Sequence, residues 1–387
     1  MDRLPSPSAE HRPPPGAAMG LRGFLCNPDL EMVASGLGAP VGPAWASAQA
    51  TARLFALLAP MGSRVWLSRG KDLEALDGDA LRRQAAQQGL YREDVAAGFP
   101  WNRSGQDLVA YAWDARADVA AGIMGLPLPQ RTATTLECNS KVFSHAKAAA
   151  AGLEPGVFDH ACAVENTHQL SQHLLQVPAH VAARWVLKPA QGFAGGGRIQ
   201  GAGRTLTTRG RGRLTQLLQR DGAVLFEPWV DRLVDLSVQL WIPPAPAPVE
   251  VLAVTALHNS PAGRYQGNGD ALELDPAVLT QARRAAVVAA GWLQAAGHTG
   301  AVGVDAFTYA DPETGRVELR PITEINARFT LGLLSSSVAT MAFGPQARWS
   351  FRLQPEVLFG NWDGPAQSAP GPQQGAAALA STHVVTA

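Results

Sequence analysis

The stretch TGAVGVDAFTYADPETGRVELRPITEINARFTLG, residues 299–332, constrains the fold more tightly than any other part of the chain. Two apolar, β-branched runs flank the turn-forming segment DPETG, which predicts a β-hairpin. Side chains alternate along a strand, so Glu324, Asn326 and Arg328 share one direction, and Asp305 on the partner strand can lie on the same side. Polar groups buried in such a strand pair need partners. Two carboxylates and an amide oxygen are hard donors that suit Mg²⁺ shared with substrate phosphates. Arg328 beside that ion would balance charge on a phosphoryl group in transfer. The competing reading is a surface cluster on an ordinary hairpin, which the apolar flanks weaken.

Upstream segments add anion-binding candidates. In NSKVFSHAKAAAAGL, Ser140 is placed to cap a helix ending at Gly152, which puts Lys141 in its first turn. A cation is disfavoured there, so Lys141 either points to solvent or meets an anion, and taken alone the segment favours solvent. In ARWVLKPAQGFAGGGRIQ, a strand delivers Lys188 to its end, Pro189 stops it, and Gly192, Gly195, Gly196 and Gly197 form a loop. Glycines let backbone N–H groups approach a phosphate, although a plain hairpin turn also fits; neither a Walker loop nor a dinucleotide fingerprint is present. In AVLFEPWVDRLVDLSVQLWI, two strands flank a polar turn bearing Glu227, Pro228, Trp229, Val230 and Asp235. Its free backbone groups suit an adenine edge, and an exposed hairpin with a buried tryptophan is the equal alternative.

The front of the chain alternates short strands (SRVWLSRG, QDLVAYAW) with helical segments (DALRRQAAQQGL, and DARADVAAGIMG capped by Asp114), which indicates a small α/β domain over residues 20–135. Residues 1–19 and 361–387 are proline-rich or low-complexity and read as tails, with Met19 an alternative start to Met1. Thirty-two basic and thirty-two acidic side chains cancel, giving no electrostatic case for nucleic acid or a membrane surface. The longest apolar run, 285–297, is too short to span a bilayer. Cys26, Cys138 and Cys162 are too few and scattered for a disulfide framework, and a cytoplasmic setting is expected. His160 and Cys162 in DHACAV alternate with small apolar residues, as a buried structural thiol would. The serines of LSSS (334–337) fit either a substrate pocket or a helix cap.

Taken in order, Lys141, Lys188 with its glycine loop, EPWVDRLVDLSVQ, GVDAFTY and TEINAR resemble the ATP-grasp superfamily of carboxylate–amine or carboxylate–thiol ligases, over roughly residues 136–350. The resemblance implies an α/β (α+β) fold of two subdomains, 136–228 and 229–360, that clasp the nucleotide behind a pre-ATP-grasp-like domain. It implies that Lys141, Lys188 and the glycines 195–197 meet the phosphates of ATP, that Glu227 to Val230 hold the adenine, and that Asp235 contacts the ribose. The family commonly has Glu where Asp235 stands. Asp305, Glu324 and Asn326 become ligands of Mg²⁺ or Mn²⁺, and Arg328 the catalytic group. The implied reaction passes through an acyl phosphate and releases ADP and phosphate, with small-molecule or peptide acids and amines as partners. A small-molecule kinase and a non-catalytic ATP-binding module are the alternatives. Arg264 and Tyr265, in the long loop 258–270, are the expected substrate selectors. The oligomeric state is not readable.

Overall fold

A computed structural model describes residues 22–30, 39–70, 72–103, 107–192, 197–260, 265–354 and 356–365. Gly195, Gly196 and Arg264 lie outside the described residues. Three sheets organise the chain. The first runs in the order β3-β2-β1-β4, where β1 (Gly23–Cys26) is parallel to β2 (Arg64–Arg69) and β4 (Leu108–Ala110), and β3 (Asp72–Leu76) pairs antiparallel with β2. Parallel neighbours need a crossover, and the helix Gly42–Ala56 supplies it between β1 and β2.

The second sheet is antiparallel, ordered β5-β8-β6-β7: β5 (Cys162–Val164), β6 (Trp185–Pro189), β7 (Ile199–Gly201) and β8 (Val224–Pro228). Leu170, Leu174, Leu214 and Leu217, from helices Thr167–Gln176 and Thr208–Asp221, pack with Trp185 and Phe226 of this sheet.

The third sheet has seven strands in the order β13-β12-β9-β10-β11-β14-β15. They are β9 (Arg232–Ile242), β10 (Glu250–Asn259), β11 (Tyr265–Asp270), β12 (Gly300–Ala310), β13 (Val317–Asn326), β14 (Ser350–Arg352) and β15 (Asn361–Asp363). The predicted hairpin is present as β12 and β13. Alternation divides the sheet. Leu236, Val238 and Leu240 of β9, with Val302 and Val304 of β12, bury against the helix Pro276–Ala295, whose core face is alanine (Ala282, Ala286, Ala289, Ala290). Small side chains bring that helix close to the sheet. The intervening residues, Asp235, Ser237, Gln239 and Asp305, line a cleft on the opposite side.

Two expectations need correction. The sequence places residues from 361 onward in a tail, yet Asn361–Asp363 is a strand and Trp362 is fully buried against Phe351, with ring centroids 4.6 Å apart. Its indole N–H also donates to the Phe359 carbonyl at 3.0 Å, so one large apolar residue with a satisfied polar edge anchors the strand. Ser335 to Ser337 neither cap a helix nor line the cleft. They lie within the helix Leu331–Phe343 and are buried, and the Ser335 and Ser336 hydroxyls bond to the carbonyls of Gly332 and Leu333.

Trp362→Ala is expected to cost about 3–5 kcal/mol. A chain ended after Gly360 should lose a comparable amount relative to one ended after Gly364, as read from urea melts of both.

Candidate active site

The cleft has a volume of about 720 Å³ and is lined by residues of the second and third sheets, of the helix Gly42–Ala56 and of the segments that follow β1 and β4. Lys141, Lys188, Asp235, Asp305, Glu324, Asn326 and Arg328 all face it. Thus seven of the residues singled out from the sequence, spread over 188 positions from first to last, converge in one place.

Asp305 and Glu324 are directly opposed across the β12–β13 ladder, and Asn326 stands opposite Gly303. Two N–H groups at the C-terminal end of edge strand β13 are covered. Ile325 donates to Ser144 Oγ (3.0 Å) and Ala327 to Asn139 Oδ1 (2.5 Å), which ties the carboxylate strand to the helix Lys141–Ala150 and the turn before it. Asp305 is oriented by a chain of side chains. Thr330 donates to Gln239 (2.6 Å), Gln239 to Ser237 (2.9 Å), and Ser237 to Asp305 Oδ1 (2.7 Å), while Asn326 donates to Asp305 Oδ2 at 3.3 Å. Burial first, and then the negative charge of Glu324, push the Asp305 carboxyl up to about 6. Ser237, Gln239 and Thr330 escaped the sequence reading. The period-two run Asp235, Ser237, Gln239 in DLSVQL is the signal that could have found the first two.

Lys141 corrects its solvent-facing expectation. It is the first residue of its helix and is buried, and its ammonium donates to Glu324 Oε1 and to the Gly192 carbonyl, both at 2.8 Å. The anion that offsets the helix dipole is thus a carboxylate of the chain itself. Ser140 occupies the N-cap position, but its side chain accepts no capping hydrogen bond.

Lys188, next to last in β6, pairs with the buried Glu227 of β8. Arg320 of β13 donates to Glu227 Oε1 at 2.7 Å and holds Glu154 through two bonds of 2.9 and 3.0 Å. Burial opposes the Glu227 charge, but Arg320 and Lys188 outweigh it and hold the carboxyl down at about 2. Burial likewise lowers Lys188, to about 8, against the pull of Glu227.

The segment Glu227–Val230 does not line the cleft. The Glu227 carboxylate is taken up by Lys188 and Arg320, Pro228 stands opposite Trp185 in the ladder, and the Trp229 N–H donates to the Arg184 carbonyl at 2.9 Å. Gly197 adopts a positive φ of 76°, which favours glycine at the described end of the loop. Asp235 is paired with Arg232 (2.8 Å) and accepts from Asn259 (3.1 Å). Tyr265 lines the cleft and donates to Asn268, and Arg328 donates to the Phe329 carbonyl at 3.1 Å. Phe329 in turn donates its N–H to the Tyr111 carbonyl (2.8 Å) and packs on Phe55 at 5.0 Å and Trp101 at 5.3 Å, which fixes the Arg328 segment to the front sheet. Cys162 is half-buried with its thiol pushed up to about 11 by burial, as a structural cysteine should be.

Among the described residues, no group of three or more His, Cys, Asp or Glu is arranged to hold a metal. The donor set here is instead two carboxylates and an amide. Its chemistry fits Mg²⁺ completed by phosphate oxygens, because the opposed carboxylates repel one another and each gains from a shared cation. No described helix is long and apolar enough to cross a membrane.

No family model matches the sequence, and no curated protein matches it. Solved structures do. A biotin carboxylase from Campylobacter jejuni, in complex with a nucleotide, is similar over 86% of this chain and 75% of that chain, with 12% identity and a TM-score of 0.50. An ATP-grasp superfamily protein from Archaeoglobus fulgidus is similar over 95% and 100% (14% identity, TM-score 0.46), and an L-amino acid ligase from Bacillus licheniformis over 89% and 80% (14%, 0.47). The likeness to the biotin carboxylase is one of fold, which this chain shares.

The close packing around Gly303, opposite Asn326, gives a test of this geometry. A Cβ at Gly303 would lie 2.6 Å from Thr330 Cγ2, so Gly303→Ala should destabilise by about 1–3 kcal/mol. Thr330→Ser removes that methyl while keeping the hydroxyl, and should recover most of the loss in denaturant melts of the double variant.

Proposed function

We propose that the protein is an ATP-dependent ligase that joins a carboxylic acid to an amine, or to a thiol, through an acyl phosphate, releasing ADP and phosphate. The observation that carries this reading is the convergence of Lys141, Lys188, Asp305, Glu324, Asn326 and Arg328 on one cleft. Lys188 and Lys141 would neutralise the phosphates of ATP, with Glu227 fixing the position of the Lys188 ammonium. Asp305, Glu324 and Asn326 would hold Mg²⁺ or Mn²⁺, which supplies Lewis-acid stabilisation of charge on the phosphates. Asp235 would take a ribose hydroxyl, whereas the backbone of Glu227–Val230, which does not line the cleft, carries no part of this reading.

A carboxylate oxygen of the acid attacks the γ-phosphorus, the bond to the bridging oxygen breaks, and ADP leaves. The amine nitrogen then attacks the acyl carbon, the carbon–oxygen bond to phosphate breaks, and the nitrogen loses its proton to solvent. Arg328 supports the first step by stabilising charge on the phosphoryl group in flight. A hydroxyl acceptor at the same site would make the protein a kinase. A binding module for ATP alone has no use for the triad and Arg328.

Incubation with ATP, magnesium, hydroxylamine and a panel of amino acids, short peptides and dicarboxylic acids separates these readings. A hydroxamate supports the ligase, whereas ADP release without hydroxamate from any acid counts against it. Lys188→Met should weaken ATP binding about tenfold or more in calorimetry. Arg328→Lys should lower turnover on the order of 10² with little change in ATP affinity, because it keeps the charge and loses the planar fork. Wild-type turnover in the Arg328 variant would remove that residue from the mechanism.

A further inference from the structure

Building on the assignment of Lys188 to the phosphates of ATP, we propose that Arg320 and Glu154 are positioning residues: they draw the Glu227 carboxylate to one side, so that it engages the Lys188 ammonium through one oxygen and leaves the remaining donors to a phosphate. Neither residue touches the cleft, and neither belongs to a motif visible in the sequence.

The geometry divides Glu227 between two cations. Oε1 accepts from Arg320 Nη1 and Oε2 pairs with Lys188. Left to itself, a buried carboxylate beside an ammonium would turn both oxygens onto it, because nothing else in a dry site satisfies either charge. Arg320 prevents this only if its own orientation is fixed, and two contacts fix it. The parallel bonds from Nε and Nη2 to Glu154 set the plane of the guanidinium, and its face lies 4.0 Å from the Phe158 ring. Glu154 is steadied in turn by His145, 2.9 Å away. The four charges of Glu154, Arg320, Glu227 and Lys188 sum to zero, so an arriving phosphate meets an ammonium that is held but not consumed. An ammonium has three donors, and a single oxygen of Glu227 engages it from one side.

The charges that act most strongly on Lys188 are Glu227 on β8, Arg232 on β9 and Arg320 on β13, and Lys141, Arg198, Asp235, Asp305, Glu324 and Arg328 line the same cleft. Arg232 is itself engaged by Asp235, which leaves Arg320 as the cation coupled to Lys188 through a shared carboxylate. Removing the Arg320 charge should therefore raise the pH at which Lys188 loses its proton.

The test is ATP binding to the full chain by calorimetry as a function of pH, with thermal melts alongside. Wild-type affinity is expected to fall as pH rises through about 8. The double variant Glu154→Leu/Arg320→Met removes one acid and one base together and leaves Glu227 paired with Lys188, so the fold should persist. It should bind ATP about tenfold more weakly near neutral pH, with the fall in affinity displaced to higher pH. Glu154→Gln keeps the Arg320 charge and releases it toward Glu227, so its fall should not move upward. Wild-type affinity and an undisplaced profile in a folded double variant would overturn the proposal. If the double variant does not fold, an upward displacement in Glu154→Gln overturns it instead. Absence of ATP binding by the wild-type chain at any pH would refute the nucleotide assignment itself, and the positioning role with it.

Discussion

Strict alternation in the third sheet is the constraint on which the molecule depends. Every second residue of β9 and β12 must be apolar to bury the alanine face of the helix Pro276–Ala295, and the others are thereby committed to the cleft. A slip of one residue in either strand would exchange the two sets, placing Asp305 and Ser237 against alanine and valine. Between β12 and β13 the register is interrupted once. Between Asp305 and Phe307 on β12, β13 accommodates three residues, Pro321 to Thr323, opposite one. Proline cannot donate to a ladder, and a bulge is where a strand tolerates it. The bulge lets β13 serve two places at once, with Glu324 in the cleft and Arg320 between the second and third sheets.

Much of this was legible in the sequence for a simple reason. The hairpin 299–332 carries period-two alternation, a turn segment and polar residues at the wrong hydrophobicity for their neighbours, so strand, turn and site were read from the same letters. The Asp114 cap follows an equally local rule, and Asp114 does accept from the N–H groups of Arg116 and Ala117. What could not be read was anything whose meaning lies in a distant partner. Lys141 looked like a misplaced cation because Glu324, its anion, is 183 positions away. Glu154 and Arg320 are separated by 166, and nothing local distinguishes them from surface charges. Trp362 sat in a stretch of low-complexity composition, and only the faces of Phe351, Trp349 and Phe343 explain why it is buried.

The segment Glu227–Val230 is the instructive middle case. The sequence resemblance assigns Glu227 to the adenine, and its side chain belongs to an internal ion cluster rather than to the cleft. Composition showed that a carboxylate was there. It could not show that two cations had already divided it.

The aromatic contacts around Phe329 bear on what counts as a domain in this chain. Pattern puts a boundary near residue 135, but Phe55 and Trp101 from before it share a single core with Trp241, Phe329 and Leu333 from after it. Severing the chain there would leave indole and phenyl faces of the larger piece wetted where another ring now rests, and the loop bearing Arg328 would lose the carbonyl of Tyr111 that receives its backbone. The front segment is therefore separable as a stretch of sequence while remaining inseparable as a matter of cohesion, and the guanidinium facing the cleft inherits its rigidity from residues more than two hundred positions earlier in the chain.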